Sequence, residues 1–264
     1  MSHIDLQRPH PEITLLTLNR PEKLNALSFD VVEELNDVLD EIGGDNSSRV
    51  VILTGAGRGF CSGLDLTAIG PSPAAAGLKG PRSGMRSQER IAELPLKLRR
   101  LHQPVIAAVN GPAYGGGFAL ALACDLRVAS ASARFCSQFI KVGVGGCDIG
   151  ISYTLPRLIG AARAFELMLT ARVLDAVEAR DLGVVTDVVD DGLVVDRAME
   201  LAELICGYTS FGVEMTKQVM WANLDAPSFE VALHLENRTQ ILAGTSGEIM
   251  EAAAAFAVRK DSHA

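Results

Sequence analysis

The sequence predicts an α/β domain followed by a helical region, and three observations lead there. Short apolar runs of strand length recur through the first 190 residues, at Ile13–Asn19, Val50–Thr54, Val105–Asn110, Leu126–Ala129 and Val184–Val189. Helical segments and Gly-rich turns separate them, the order that gives a largely parallel sheet. From about Asp191 onward only helical spacing remains. The chain therefore divides into residues 1–190, an α/β body, and 191–264, a C-terminal helical region.

Each element has its own reason. Ile13–Asn19 (ITLLTLN) reads as a strand. Ser28–Ile42 sets Val31, Val32, Leu35, Val38, Leu39 and Ile42 at the period of an amphipathic helix, with Ser28 as its cap. Val50–Thr54 (VVILT) is a short buried strand ended by Gly55-Ala56-Gly57, and Val105–Asn110 is another, ended by Gly111-Pro112. Ile69–Gly84 is rich in Gly, Pro, Ala and Ser and reads as a mobile loop, either covering a substrate or serving as a solvated linker. Gly192–Cys206, Phe211–Asn223, Ser228–Leu242 and Gly247–Val258 carry the helical spacing of the tail. Such a tail either joins subunits or covers the core of its own domain.

Composition narrows the function classes. The 264 residues are one large domain, or one domain with an appendage, and 48% of them are apolar. Lys+Arg 24 against Asp+Glu 32 gives a net charge of −8. Without basic runs, that balance argues against nucleic acid and anionic membranes as partners. One Trp, three Tyr and nine Phe are too few for a base-stacking platform. No run reaches the roughly 18 apolar residues of a membrane span, and the N-terminal MSHIDLQRPHPEI has no apolar core of a secretory signal. Cys61, Cys124, Cys136, Cys147 and Cys206 are widely spaced and contain no C-x-x-C. This argues against a disulfide framework or a metal site and for a reduced, cytoplasmic protein. His102 and His234 each sit in a helical pattern as structural residues, and H-E-x-x-H is absent.

Two tempting motifs fail. TGAGRGFCSG is not G-x-G-x-x-G, because Phe60 stands at the third glycine position, and no phosphate loop of the G-x-x-x-x-G-K-[ST] type occurs. Ser62 lies outside G-x-S-x-G and reads as a turn residue rather than a nucleophile.

Two strand ends carry unusual turns: Phe60-Cys61-Ser62-Gly63-Leu64-Asp65-Leu66, and Asn110-Gly111-Pro112-Ala113-Tyr114-Gly115-Gly116-Gly117, which opens the apolar helix FALALA. Three glycines cost helix propensity, so bare backbone must serve a purpose there. A helix N-terminus has free N–H groups and partial positive charge. Two such turns side by side would present two converging donors, an oxyanion hole. Close packing of the helix on the sheet would use the same glycines.

At these segments the chain resembles the crotonase superfamily, the enoyl-CoA hydratase/isomerase family, nearly end to end. The residues that carry the resemblance are Asn19-Arg20-Pro21-Glu22-Lys23-Leu24-Asn25-Ala26-Leu27, VVILTGAGRGFCSGLDL, PVIAAVNGPAYGGGFALALACDLRVAS and Leu155–Gly160 (LPRLIG), with Glu251–Lys260 resembling the closing helix. The resemblance implies a spiral of ββα turns that binds an acyl-CoA thioester, with no cofactor besides the coenzyme A of the substrate. It implies that the thioester carbonyl is held by the N–H groups of Leu64 and Gly116. Lys23, Leu24, Ala26, Ser62, Gly63, Asp65, Leu66, Gly115, Ala119 and Phe139 would line the acyl-CoA site. Arg259 and Lys260 are candidates for the CoA phosphates, or solvated tail charges. A homotrimer or a dimer of trimers is the implied assembly.

The resemblance also has gaps. The two glutamates that hydratases of this family use align with Ala119, three residues after Gly116, and with Phe139; neither can transfer a proton. Asp148, in Gly145-Gly146-Cys147-Asp148-Ile149-Gly150, aligns one residue out of step with the catalytic aspartate of dienoyl-CoA isomerases and is the candidate acid/base. An Asp ahead of a helix is equally a preferred N-cap. Glu89, in the helix after the loop, is a second candidate. Two readings follow: an enzyme that stabilises an enolate and moves a proton in isomerase-type or atypical hydratase chemistry, and an acyl-CoA-binding protein of this fold with little catalysis.

Overall fold

The computed structural model describes residues 2–68 and 70–249. Its strands are β1 (Ile4–His10), β2 (Ile13–Leu18), β3 (Val50–Gly55), β4 (Val105–Val109), β5 (Pro112–Tyr114), β6 (Leu126–Ser130), β7 (Arg134–Cys136), β8 (Leu174–Asp175) and β9 (Asp187–Val189). Its helices are α1 (Phe29–Gly44), α2 (Pro81–Arg100), α3 (Gly116–Ala123), α4 (Ile151–Ile159), α5 (Ala161–Thr170), α6 (Ala176–Asp181), α7 (Val194–Cys206), α8 (Ser210–Asn223) and α9 (Phe229–Thr245).

Six strands form one sheet in the order β1-β2-β3-β4-β6-β9, and β5-β7-β8 form a second. Only β1 runs antiparallel in the large sheet; β2 through β9 pair in parallel. The strand period of two divides the side chains between two cores. Val50 and Ile52 of β3, with Ile106 and Ala108 of β4, face Val194, Ala198 and Ala202 of α7. Val51 and Leu53, with Val105, Ala107 and Val109, belong to the other core, together with α1, α2 and α3. A sheet buried on both faces explains the continuous apolar runs VVILT and VIAAV.

Several expectations need correction. β1 carries no sequence signal: IDLQRPH buries only Ile4, so it lacks the period-two pattern, and Pro9 is tolerated because the strand is an edge. Val184–Val189 is a strand only from Asp187; Val184 and Val185 lie in the turn before it and are buried. The segment expected as a mobile loop over 69–84 contains a 3-10 turn at Pro73–Ala75 and the first turn of α2 from Pro81. Ala75 is buried there, and the Ser72 N–H donates to Ser87 Oγ of α2 at 2.9 Å, so the segment is packed onto that helix.

The boundary drawn at 190/191 falls inside one packed body, because α7 covers the sheet. Ser28 caps α1 and Ser228 caps α9, each accepting from the N–H three residues on. Glu251–Lys260, with Arg259 and Lys260, lies outside the described residues.

α8 is anchored by a buried ion pair. Lys217 Nζ stands 2.8 Å from Asp125 Oδ2 and donates to the carbonyls of Leu98 and Gln103. Trp221 Nε1 donates to the other oxygen of Asp125, and the Arg99 guanidinium stacks over the Trp221 ring.

Candidate active site

The site begins with two asparagines that tie loops together. Leu24 and Asn25 are left-handed, with φ 50° and 56°, a conformation that Asn adopts more readily than most residues. Asn25 Nδ2 donates to the carbonyls of Ala56 and Gly59, at 3.0 and 2.8 Å, and Asn25 Oδ1 accepts from the Arg20 N–H. Asn110 Nδ2 donates to the carbonyls of Gly55 and Gly57 from the other side. The Gly-rich turn after β3 thus has its carbonyls satisfied by side chains of two neighbouring turns.

Short parallel bridges then dock the turns on each other. Leu27 pairs with Leu64: the Leu27 N–H donates to Gly63 O at 2.8 Å and the Asp65 N–H to Leu27 O at 2.9 Å. Cys61 pairs with Ala113: the Cys61 N–H donates to Pro112 O and the Tyr114 N–H to Cys61 O.

The glycines answer two different needs. A Cβ on Gly117 would lie 2.0 Å from Cys61 O, so Gly117 is required for close packing of α3 on the first turn. Gly63 has φ +93°, and a Cβ there would stand 2.8 Å from Tyr114 O and 3.2 Å from the Gly116 nitrogen. The backbone just before Leu64 therefore meets the start of α3. Among the described residues, neither the Leu64 nor the Gly116 N–H donates to a carbonyl. Gly116 is the first residue of α3, where the helix itself supplies no acceptor. Cβ positions on Gly115 and Gly116 contact Leu27, Phe139 and Ile149, with the Gln138 methylene beside them, which form a largely apolar wall next to these amides.

Other expected site residues gather here. The Ser62 N–H donates to Leu24 O, and Ser62 Oγ approaches Lys23 O at 3.4 Å. Lys23, Leu64 and Leu66 are exposed, while Ala26 is buried. The Asp65 side chain turns inward: its carboxylate accepts from the Thr67 hydroxyl and N–H and pairs with Arg20 at 3.2 Å. The Thr67 hydroxyl, followed by the Thr67 amide and Arg20, holds that carboxyl below the usual range despite burial. Asp65 is thus a brace for the turn, as is Arg20, which also donates to Ala26 O. Ala119 and Phe139 are both buried in the apolar core. The Cys61 thiol, pushed up to about 12 by burial, is no nucleophile.

Asp148 does not cap α4. The N-cap is Gly150, with φ +89° and no side-chain bond. Asp148 Oδ1 accepts instead from its neighbour's N–H, that of Ile149, at 2.8 Å. Ile149 takes φ +36°, rare for a β-branched residue, and its Cδ1 lies 3.5 Å from the Cβ position of Gly116. This strained turn sets Asp148 one residue from the wall of the amide pair. Burial raises the Asp148 carboxyl above the ordinary aspartate range, against the bonds from Ile149 and Gln88.

Glu89 does not join the site. It pairs with Arg86 at 3.1 Å on the exposed surface of α2. Its neighbour Gln88, pointing about 100° away around the helix, donates instead to Asp148 Oδ1. The roles of Arg20, Leu27, Gln88, Asn110 and Ile149 emerge only in the structure; for the asparagines, the position of Asn25 and Asn110 in the two recognisable turns is the one sequence signal.

A second cavity, of about 770 Å³, opens at the C-terminal end of α3, between Leu122, Tyr153, Val213, Trp221 and Leu224. Its carboxylate, Asp125, is held by Lys217 and Trp221. Among the described residues no group of three or more His, Cys, Asp or Glu could hold a metal ion. No described helix is long and apolar enough to cross a membrane.

Free amides beside a largely apolar wall, on strand-end turns, are what an enzyme that holds a carbonyl oxygen as it gains charge would need. The comparisons carry that class to a family. The enoyl-CoA hydratase/isomerase family matches residues 9–263. The chain is 47% identical over 241 residues to "Probable enoyl-CoA hydratase echA12" of Mycobacterium bovis, covering 91% of this chain and 85% of the relative. It is 37% identical to "1,2-epoxyphenylacetyl-CoA isomerase" of Escherichia coli, covering 94% and 93%. The crystal structure of a probable enoyl-CoA hydratase/isomerase from Mycobacterium abscessus superposes with a TM-score of 0.92 at 44% identity, covering 99% of this chain and 97% of the other. The protein belongs to the enoyl-CoA hydratase/isomerase family, has the crotonase fold, and is an enzyme acting on acyl-CoA thioesters.

Proposed function

We propose that the protein moves a double bond within an enoyl-CoA thioester, with Asp148 as the single acid/base. The Leu64 and Gly116 N–H groups receive the thioester carbonyl oxygen. The Asp148 carboxylate takes a proton from Cγ of a 2-enoyl thioester. The electron pair spreads over the dienolate, whose oxygen carries charge between the two amides. Asp148 then returns the proton to Cα, giving the 3-enoyl isomer. The proton and the double bond change places and no other reactant is needed; the reverse direction uses the same steps. One carboxylate suffices for this shuttle, whereas hydration also requires a held water.

The observation that supports this reading is the pairing of one half-buried carboxylate with apolar residues, Ala119 and Phe139, where the family's hydratases are expected to carry glutamates. One relative with 37% identity is itself named an isomerase. The test is a panel of trans-2- and trans-3-enoyl-CoA thioesters, with products assigned by NMR. Interconversion without added hydroxyl supports the reading. Hydration of the 2-enoyl thioesters without isomerisation overturns it.

The assembly belongs to the same proposal. α9 has 17 residues, yet Thr239 alone of them is buried, and Phe229, Ile241 and Leu242 are exposed. A helix of that length draws its stability from packing. Copies of this chain, as a trimer or dimer of trimers, cover that surface. Light scattering during size exclusion tests it, and a monomer at micromolar concentration counts against it.

A further inference from the structure

The Asp148 carboxylate has a neutral, one-sided hold. Gln88 Nε2 of α2 and the Ile149 N–H both donate to Oδ1, at 2.5 and 2.8 Å. Among the described residues no donor reaches Oδ2. The charged and titratable groups on the surrounding elements are occupied elsewhere or exposed. Arg86 and Glu89 of α2 pair with each other. Lys141, in the 3-10 turn Gln138–Val142, contacts Cys136 Sγ. Tyr153 of α4 bonds Asp225. Cys147 precedes Asp148 and is exposed.

We propose that Gln88 is a positioning residue for the proton-transfer step: its amide fixes Oδ1 of Asp148, so that Oδ2 is the oxygen that takes and returns the substrate proton. The inference rests on the isomerase reading of Asp148. Two donors on one oxygen define the plane of the carboxylate and leave the other oxygen's lone pairs free. The chemistry of the donor matters. A Lys or Arg at position 88 would bring a full positive charge, strongly favour the ionised carboxylate and weaken it as a base. An amide orients the group without that charge. A carboxylate there would share the site with a like charge. Gln88 also follows Ser87, whose hydroxyl accepts from the Ser72 N–H, so the packed segment before α2 buttresses the stretch of helix that reaches Asp148.

The test compares Gln88→Met, which keeps length without the donor, and Gln88→Ala with the unmodified protein and with Asp148→Asn. Turnover of a trans-3-enoyl-CoA is followed by the conjugated thioester absorbance. Loss of a group that orients a reacting side chain typically costs about 10- to 100-fold. We expect that loss in kcat for both Gln88 variants, with KM little changed. Removing a donor to the ionised form also moves the acidic limb of the kcat profile to higher pH. NMR titration of the ¹³C-labelled Asp148 carboxyl reads the same upward shift without substrate. Wild-type kcat and an unmoved titration in Gln88→Met, with Asp148→Asn impaired, overturn the positioning role and leave the isomerase reading standing. Reduced kcat with an unmoved titration makes Gln88 a packing residue and also overturns it. Full turnover by Asp148→Asn overturns both.

Discussion

Gly63 meets Gly116 so closely that a β-carbon on the first would stand 3.2 Å from the amide nitrogen of the second. That approach places the start of α3 beside the residue that precedes Leu64. It needs the left-handed backbone of Gly63 and the bare face of Gly117 against Cys61. The fold thus fixes both amides, and under the proposed reaction such a preorganised donor pair would not have to reorient as charge develops.

The amide pair can be broken at one atom. Gly116 is the first helical residue, where proline is well tolerated because its N–H has no helical partner. Gly116→Pro is expected to lower kcat about 10²- to 10³-fold, the usual worth of one oxyanion donor. Circular dichroism and steady-state kinetics together check it. A folded variant with full turnover would remove Gly116 from the oxyanion site.

Asp148→Asn separates chemistry from stability. Turnover is expected to fall by about 10²-fold or more. Burial raises the Asp148 carboxyl, so the folded protein holds that proton more tightly than the unfolded chain. This group's contribution to stability is therefore greatest below the ordinary aspartate range, and it is lost as pH rises through the folded value. At neutral pH the Asn variant, which is never charged, should melt no lower than the unmodified protein, and the difference should close toward acid. A lower melting temperature at neutral pH contradicts this account. The same shift puts the acidic limb of the wild-type kcat profile above that of an ordinary aspartate.

Water is the third test. Retaining a water takes about two to four polar partners; Leu27, Phe139 and Ile149 beside the amide pair offer none, and the nearby Gln138 amide already donates to Ser62 O. Hydration of crotonyl-CoA by the unmodified protein is expected to be slow beside a competent two-glutamate hydratase. Assay of both under one set of conditions decides it. Equal rates would mean that the hydrating carboxylates lie at positions other than 119 and 139.

The ion pair beneath α8 gives a stability prediction. Asp125 accepts from the Val105 N–H and Trp221 Nε1 and faces the Lys217 ammonium. Burial lowers the Lys217 amine, and Asp125 opposes that shift. Breaking one side of a buried pair typically costs about 3–5 kcal/mol. Asp125→Asn should lose stability of that order in urea unfolding and loosen α8, seen as faster amide exchange over 210–223. A change below about 1 kcal/mol would place the pair among weak surface contacts.

The sequence by itself determined the α/β order, the parallel sheet and the two glycine turns. Those features rest on short-range signals: apolar runs of strand length, Ser28 as a cap, and glycines where a β-carbon cannot stand. Even the purpose of the glycines divided only in three dimensions, with Gly117 needed for packing against Cys61 and Gly116 left with a free amide. β1 stayed hidden because an edge strand with polar residues on both faces has no hydrophobic period.

Tertiary structure decided how the carboxylates are used. In the sequence Asp65, Glu89 and Asp148 look alike. Asp65 is turned inward by Thr67 and Arg20, Glu89 is drawn to Arg86 on the surface, and Asp148 accepts from Ile149 and Gln88 instead of capping α4. Gln88 reaches Asp148 across 60 residues of sequence, a contact that no local pattern encodes. The reason is physical. Side-chain period and capping act within one turn of chain, whereas the environment that sets a carboxyl's proton affinity is assembled from segments that meet only when the sheet and its helices close around it.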